Sequence, residues 1–166
     1  MDVLVVDYKD KDAANDFAKS IQNTGFALIK NHGIDHELTS KVFKDWEVFF
    51  KQDEAEKRKH LFKRNYDVVQ GGFFPKDISE TAKGFSVKDL KEFYHYYPCT
   101  GELPNSISTT TKDLRLKLIE IAKKLLSFLN DFLPYNIKEN LSLPLSEMID
   151  EKYQTLLRVL HYPPLP

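Results

Sequence analysis

The chain has 166 residues, of which 42% are hydrophobic, and its formal net charge at pH 7 is −1. This length is sufficient for one hydrophobic core, and we predict a single domain over residues 1–166. The balanced charge excludes the basic surface typical of nucleic-acid-binding domains, and no run of roughly 18 uncharged apolar residues is present, so neither nucleic acid nor a membrane is predicted as a partner.

Strands and helices are predicted to alternate in the first third of the chain. The short β-branched run Val3–Val6 indicates a strand, and Phe26–Lys30 indicates a second one. Apolar residues spaced by three and four predict a helix from Asp12 to Asn23, with Gly25 as its left-handed exit. The same spacing predicts a packing helix from Asp35 to Phe50.

Charged residues and then aromatic residues dominate the middle of the chain. Asp53 with Glu56 has the spacing of a capping box, which predicts a short solvent-facing helix up to His60. Two extended segments are expected between Tyr66 and Tyr97. For the aromatic run Phe93–Tyr97, a half-buried strand with its tyrosines outward is favoured over a platform that stacks a planar ligand.

The last third contains the longest periodic segment. An apolar stripe from Leu114 to Phe132 predicts a long amphipathic helix, with Thr110 opening a capping box and Pro134 ending the helix. A weaker helical stretch is expected at 145–150, and the pattern at 155–162 indicates a strand. The pattern as a whole predicts an α+β fold in which long amphipathic helices pack on a few strands.

Cysteine content and the N-terminus indicate a reducing compartment. Cys99 is the single cysteine, which excludes an internal disulfide framework and metal sites made from several thiolates. Residues 1–8 lack the basic start and the long apolar run of a signal peptide. We therefore expect a cytoplasmic protein.

Three short segments carry a resemblance to a known family. They are Thr-Gly-Phe-Ala-Leu-Ile-Lys-Asn-His-Gly-Ile at 24–34, Asp-Leu-Lys-Glu-Phe-Tyr-His at 89–95 after Gly-Phe-Phe-Pro at 72–75, and Leu-Leu-Arg-Val-Leu-His-Tyr-Pro-Pro at 156–164. In this order they resemble the N-terminal region of the isopenicillin N synthase-like non-haem iron oxygenases, most of which use 2-oxoglutarate. The resemblance implies the helix-rich N-terminal portion of a double-stranded β-helix (jelly-roll) oxygenase, ending at the first strand of the barrel.

The same resemblance implies iron and co-substrate motifs that this sequence does not contain. Family members hold Fe(II) through a His-x-Asp or His-x-Glu motif and a later His, and they hold 2-oxoglutarate through an Arg-x-Ser motif. None of the 5 histidines is followed two residues on by an acid, and no arginine is followed by Ser at that spacing. We therefore expect no catalytic and no metal-binding residue in this chain, with Fe(II) and 2-oxoglutarate implied for the full-length enzyme.

Four residues are candidates for the co-substrate or substrate pocket through the resemblance. Tyr162 corresponds to the Tyr of the family's Tyr-Pro motif, which reaches the co-substrate. Arg158 lies four residues earlier, on the same face of the predicted strand. Gly72 and Phe73 lie in the stretch that borders the substrate pocket in the family. For Arg158 and Tyr162, an ordinary position in the core or in solvent is an equally weighted alternative, and Leu160 replaces an Asn that many plant relatives carry.

Two functions of different classes follow from these observations. In the first, the chain is the N-terminal part of an Fe(II), 2-oxoglutarate-dependent oxygenase of a small organic substrate, inactive without its catalytic half. In the second, it is a non-catalytic binding or assembly module that another chain completes. An open strand at 155–162 would favour self-association, which predicts a homodimer.

Overall fold

The computed structural model describes residues 2–63, 70–78, 81, 84, 89–99, 102–152 and 155–164. Helices and short strands are mixed along the chain, in agreement with the predicted α+β class. The elements are β1 (Val5–Asp7), α1 (Ala13–Thr24), β2 (Leu28–Lys30), α2 (His36–Phe50), α3 (Glu54–Arg58), β3 (Gly72–Phe74), β4 (Glu92–Tyr96), α4 (Thr110–Phe132), α5 (Tyr135–Lys138), a 3-10 helix (Leu145–Met148) and β5 (Leu157–His161).

Contacts within the chain divide it into two compact units. The first comprises Met1–His36 and Asp113–Asp150, and the second comprises Glu37–Lys112 and Glu151–Pro166. In the first unit, β1 and β2 form a two-stranded parallel sheet. One face of that sheet packs on α1 and α4 through a buried cluster made of Val6, Ala13, Phe17 and Phe128.

The end of α1 shows why the helix stops where the sequence predicts. Gly25 adopts φ 77°, the left-handed conformation that glycine tolerates without steric cost. Its N–H donates to the carbonyl of Ile21 at 2.9 Å, which satisfies one of the free carbonyl groups at the end of the helix. The chain then turns back into β2.

The second unit contains a three-stranded antiparallel sheet in the order β3-β4-β5. Aromatic side chains of α2 cover one face, which we call the inner face. Phe49 is fully buried there and contacts Phe73 and Tyr94, each with ring centroids 5.8 Å apart. The edge of β3 that does not face β4 is bonded to the segment after α3. Phe62 N–H donates to the carbonyl of Phe73 at 3.0 Å, and Phe73 N–H donates to the carbonyl of His60 at 2.7 Å.

The helices predicted from apolar periodicity are confirmed, with small shifts at their ends. α1 and α2 match the predicted spans to within one residue, and α4 begins at Thr110 itself. The strands are confirmed but shorter: β1 starts at Val5, two residues later than predicted, and β5 runs over Leu157–His161. The short helix α5 was not predicted, because four residues after a proline carry no periodic signal.

Two predictions for the middle of the chain are wrong. The short helix α3 is confirmed and four of its five residues are exposed, with Lys57 buried, but the predicted capping box does not form because Asp53 makes no side-chain hydrogen bond at the start of α3. The tyrosines of the aromatic run do not point outward: Tyr94 and Tyr96 are buried together with the other residues of β4. The reason is that β4 is the central strand, with α2 on one face and further side chains on the other.

None of the helices in the described part of the chain combines the length and the apolar character needed to cross a lipid bilayer.

Candidate functional site

The face of the β3-β4-β5 sheet opposite α2, which we call the outer face, carries two of the candidate site residues, Gly72 and Arg158. Its composition follows from the antiparallel register, because side chains on directly paired residues lie on the same side of a sheet. Two neighbouring rows cross the three strands on this face. They are Gly72–His95–Arg158 and Phe74–Phe93–Leu160.

Arg158 is held in place on the outer face by the residues of β4. Its Nε donates to Nε2 of His95 at 2.8 Å, and its guanidinium carbon lies 5.0 Å from the centre of the Phe93 ring. Because Nε2 of His95 accepts, Nδ1 carries the proton and donates to the carbonyl of Gln70 at 3.2 Å. Arg158 remains exposed. A fixed, exposed guanidinium is suited to bind a carboxylate.

Tyr162 follows directly after β5 and is 62% exposed. Its hydroxyl group can both donate and accept a hydrogen bond. Leu160, between Arg158 and Tyr162, is exposed as well. The structure thus places Arg158 in β5 and Tyr162 directly after it, both exposed, and it adds His95 and Phe93 as the residues that fix Arg158.

Gly72 and Phe73 do not share this exposed position. Phe73 is completely buried on the inner face, where it packs against Phe49. Gly72 has φ 122°, and a Cβ on it would lie 2.7 Å from Cα of Phe62. Both residues therefore serve the packing of β3 within this chain, and Phe73 faces away from Arg158.

A buried ionic network on the inner side of the sheet was missed by the sequence analysis. Lys57 Nζ lies 2.7 Å from Glu92 Oε2, and His161 Nδ1 lies 2.8 Å from Glu92 Oε1. Lys57 is only 6% exposed and Glu92 only 2%. Phe50 stacks on the His161 ring with centroids 5.0 Å apart. Sequence spacing does not reveal this pairing, because Glu92 and His161 lie 69 residues apart in the sequence.

The hydroxyl group of Tyr94 is also buried on this side of the sheet, where it donates to the carbonyl of Glu102 at 2.9 Å. Desolvation by burial, with smaller contributions from the charges of Glu102 and Tyr96, raises the pKa of Tyr94 to about 12. Burial has this direction because it disfavours the charged phenolate. Tyr94 is therefore a neutral hydrogen-bond donor that anchors the loop after β4.

The described residues do not fit an iron site. Within them, no group of three or more His, Cys, Asp or Glu side chains lies close enough to hold a metal ion. The pair Glu92–His161 offers two ligands of the right type, but the ammonium group of Lys57 already occupies the second carboxylate oxygen. His32, in the turn before α2, accepts a hydrogen bond from the Ile34 N–H at 3.2 Å on Nδ1. No step of chemistry through iron is derived from these residues.

Comparison with known proteins gives relatives of one kind. A family model described as non-haem dioxygenase in morphine synthesis, N-terminal, matches residues 3–114. The oxoglutarate-dependent flavonoid 7-O-demethylase 1 of Ocimum basilicum is 27% identical over 157 residues, which are 92% of this chain and 40% of that protein.

Solved structures agree with this result. A protein from Shewanella oneidensis that is assigned as an oxygenase superposes on 100% of this chain with a TM-score of 0.82 and 42% identity, and 57% of its own chain is covered. A full-length Neurospora crassa protein, solved in complex with alpha-KG, has a TM-score of 0.64 over 96% of this chain at 18% identity, a likeness of fold alone. Of the Neurospora chain, 54% is covered.

The chain thus spans roughly half the length of these relatives, between 40% and 57%. The matched segments include the strands and helices that position Arg158 and its neighbours, since the Shewanella protein matches over the entire chain. Because the family model covers more than half of the residues, this chain belongs to the family of non-haem dioxygenase N-terminal regions.

Proposed function

We propose that this chain is the N-terminal part of a non-haem Fe(II), 2-oxoglutarate-dependent oxygenase that oxidises a small organic substrate. In this proposal the outer face of the β3-β4-β5 sheet forms one wall of the pocket, and the catalytic part of a jelly-roll barrel, with the iron ligands, lies outside these 166 residues. The chain alone is then inactive. The expected location is the cytoplasm.

The observation that carries the proposal is the arrangement around Arg158. A guanidinium that is oriented by His95 and Phe93, and still exposed, is prepared to receive an anionic group. Arg158 packs on Phe93 and His95 within the protein, and its side chain is still exposed. A carboxylate-bearing co-substrate or substrate, placed between Arg158 and Tyr162, would use both side chains.

The proposed roles of the four candidates differ. Arg158 and Tyr162 would contact the bound molecule, by ion pairing and by a hydrogen bond respectively. Gly72 and Phe73 would not contact the bound molecule and would instead hold β3 in position. Phe73 packs on the inner face, and Gly72 allows the close approach of Phe62. When bound elsewhere in the complete enzyme, Fe(II) would supply the activation of oxygen.

The test compares the chain alone with a completed protein. In the completed protein, the part of the Shewanella chain that has no counterpart here follows residue 166. Both are titrated anaerobically with Fe(II) by calorimetry, with and without 2-oxoglutarate. We expect stoichiometric binding of Fe(II) and 2-oxoglutarate only in the completed protein. Stoichiometric Fe(II) binding by the chain alone would overturn the proposal.

Site variants of the completed protein test the pocket wall. Arg158→Gln and Tyr162→Phe are expected to weaken the binding of 2-oxoglutarate, or of the substrate that supports its turnover, by about tenfold each. Tyr135→Phe, at a tyrosine that is 80% exposed in α5, is the matched control and should leave both unchanged. Unchanged binding and turnover in both site variants would remove Arg158 and Tyr162 from the pocket.

A second candidate function is a non-catalytic assembly module completed by another chain. It is favoured by one observation, the position of β5 at the edge of its sheet, where the described residues provide no further strand. The unpaired backbone groups of such an edge invite another strand. The two candidates are separated by the same calorimetry, because an assembly module would bind a partner without acquiring affinity for Fe(II).

A further inference from the structure

The β1–β2 sheet is packed on one face only. Val6 and Ile29 point toward α1 and α4, where Val6 is 1% exposed. The opposite face presents large apolar side chains to solvent: Val5 is 60% exposed, Leu28 59% and Phe26 71%. Together with Val3, which is also exposed, these residues form a surface that we call the apolar patch.

The apolar patch is continuous because of the register of the two strands. Val5 and Leu28 are direct partners in the parallel ladder, so their side chains are neighbours. Val3 and Phe26 each lie two residues before the strand that follows them, and both are exposed. At its other end the apolar patch stops at the next partner pair on the same face, Asp7 and Lys30, where Lys30 Nζ and Asp7 Oδ2 lie 3.6 Å apart.

This arrangement is unusual for a sheet of its kind. Parallel sheets occur almost always with both faces covered, and two-stranded sheets are marginal when left alone. Contiguous apolar surface with a polar border is the ordinary sign of an interface. The apolar patch therefore indicates a second layer that packs on β1 and β2.

We propose that the layer covering the apolar patch is the part of the oxygenase fold that has no counterpart in this chain, and that Val5 and Leu28 are the centre of this interface. The Shewanella relative matches 100% of this chain but only 57% of its own length, which leaves 43% of that protein to supply the cover. The inference rests on the proposed function. It adds a docking surface on the first unit, separate from the pocket wall on β5.

A second copy of this chain is the less favoured candidate for covering the apolar patch. Stable interfaces between separate chains take roughly 20–30 residues a side, whereas the apolar patch has four side chains in line. A segment held in the same molecule needs far less surface, since its effective concentration is high. The apolar patch is small, and the relatives contain further chain that this sequence does not match. Both facts favour a cover that belongs to the same molecule.

Thiol labelling measures whether the patch becomes covered. Leu28→Cys is introduced together with Cys99→Ser, both in the chain alone and in the completed protein with the Shewanella segment after residue 166. We expect the introduced thiol to react rapidly in the chain alone and at least about tenfold more slowly in the completed protein. Tyr135→Cys, in the same unit, is the matched control and should react equally fast in both.

A charge at the patch gives an independent readout. Val5→Lys and Leu28→Lys should lower the unfolding midpoint of the completed protein while leaving that of the chain alone nearly unchanged, because only the former buries the charge. Equal labelling rates in the two proteins, or equal effects of the lysines, would overturn the proposal. So would labelling that slows in the chain alone with rising concentration, since the cover would then be a second copy.

Two further outcomes keep this inference separate from the proposed function. A completed protein that binds Fe(II) and 2-oxoglutarate but leaves the thiol exposed contradicts the interface alone; a protected thiol without any Fe(II) binding contradicts the proposed function alone. If the completed protein does not fold, the Shewanella oxygenase itself is labelled at the position aligned with Leu28. A reactive thiol there overturns the interface.

Discussion

Lys57 is the residue whose environment departs most from its sequence context. It lies in a highly charged segment, yet its side chain is buried, with Glu92 at 2.7 Å, Glu54 at 3.2 Å and the Phe73 ring centre at 5.4 Å. Burying a charged pair costs free energy, and the attraction between the charges together with their hydrogen bonds offsets that cost. The pair is therefore sensitive to the loss of either member.

Lys57→Met is expected to lower the free energy of unfolding by about 3–5 kcal/mol, because it leaves the Glu92 carboxylate buried with His161 as its remaining partner. Urea denaturation followed by circular dichroism measures this loss. Lys59→Met is the matched control: Lys59 pairs with Glu56 at 2.6 Å, but both side chains are more than half exposed, so the change should be far smaller.

The double variant Lys57→Met with Glu92→Met tests the explanation. Replacing both charges with apolar groups removes the uncompensated carboxylate, and more than half of the lost stability should return. A double variant as unstable as Lys57→Met would show that packing around the lysine stem, and not charge, accounts for the loss.

Tyr94 gives a prediction for alkaline pH. Its pKa rises from 10.0 to about 12 on folding, chiefly through burial. A raised pKa means that the stability contributed by the neutral phenol is complete below pH 10 and is lost as the pH rises toward 12. The loss should be on the order of 2–3 kcal/mol. Unfolding measured between these two pH values, with tyrosinate absorbance as a second signal, checks it. Tyr94→Phe should flatten part of this dependence, and an unchanged slope would contradict the assignment.

At the scale of elements, local sequence predicts the helices better than the strands. The stripe of Phe17, Ala18 and Ile21 is enough to define α1, because helical spacing is visible within one turn. For β3 the sequence alone does not show which of two neighbours faces the core. That depends on pairing with β4, which places Phe73 inside and Gly72 in the row of Arg158.

The candidate site shows the same limit. The Tyr-Pro motif predicts Tyr162 and its spacing along the strand predicts Arg158; the structure places Arg158 in β5 and Tyr162 directly after it. His95, which orients Arg158, lies 63 residues away in the sequence, and Glu92 lies 69 residues from His161. No spacing rule links such residues, since the contacts arise only when β4 and β5 pair.

Gly72→Ala tests how closely β3 and its neighbouring segment pack. The added Cβ would lie 2.7 Å from Cα of Phe62 and 2.8 Å from the carbonyl oxygen of His60, and both are backbone atoms that do not move cheaply. We expect a loss of more than about 3 kcal/mol, combining this clash with strain at φ 122°. Thermal and urea unfolding measure it.

Gly33→Ala is the matched control for Gly72→Ala. It also has positive φ, 79°, but nothing lies within 4 Å of an added Cβ. It should therefore cost only the conformational strain, about 1 kcal/mol. Equal losses in the two variants would mean that backbone conformation, and not the contact with Phe62, decides the cost at Gly72.

At the scale of the whole molecule, β5 contributes both to the candidate site and to the surface through which the chain could associate. It carries Arg158 and Leu160 on its exposed face, and it forms an edge of its sheet within the described residues. An edge strand with an exposed apolar side chain tends to pair with another strand. In the completed oxygenase that we propose, the remaining fold would take this place, so the chain alone has surface available for association.

We therefore predict that the chain alone forms a homodimer through β5 at high concentration. Leu160→Lys should weaken the dimer about tenfold, because the charge would lie in the paired strands. Phe43→Lys, at an exposed position on α2, is the control and should leave the association unchanged. Sedimentation velocity over a range of concentrations measures both. A chain that stays monomeric throughout, or a dimer that tolerates Leu160→Lys, would contradict pairing at β5. In the protein completed with the Shewanella segment the dimer should disappear, because the same edge is then occupied within one molecule.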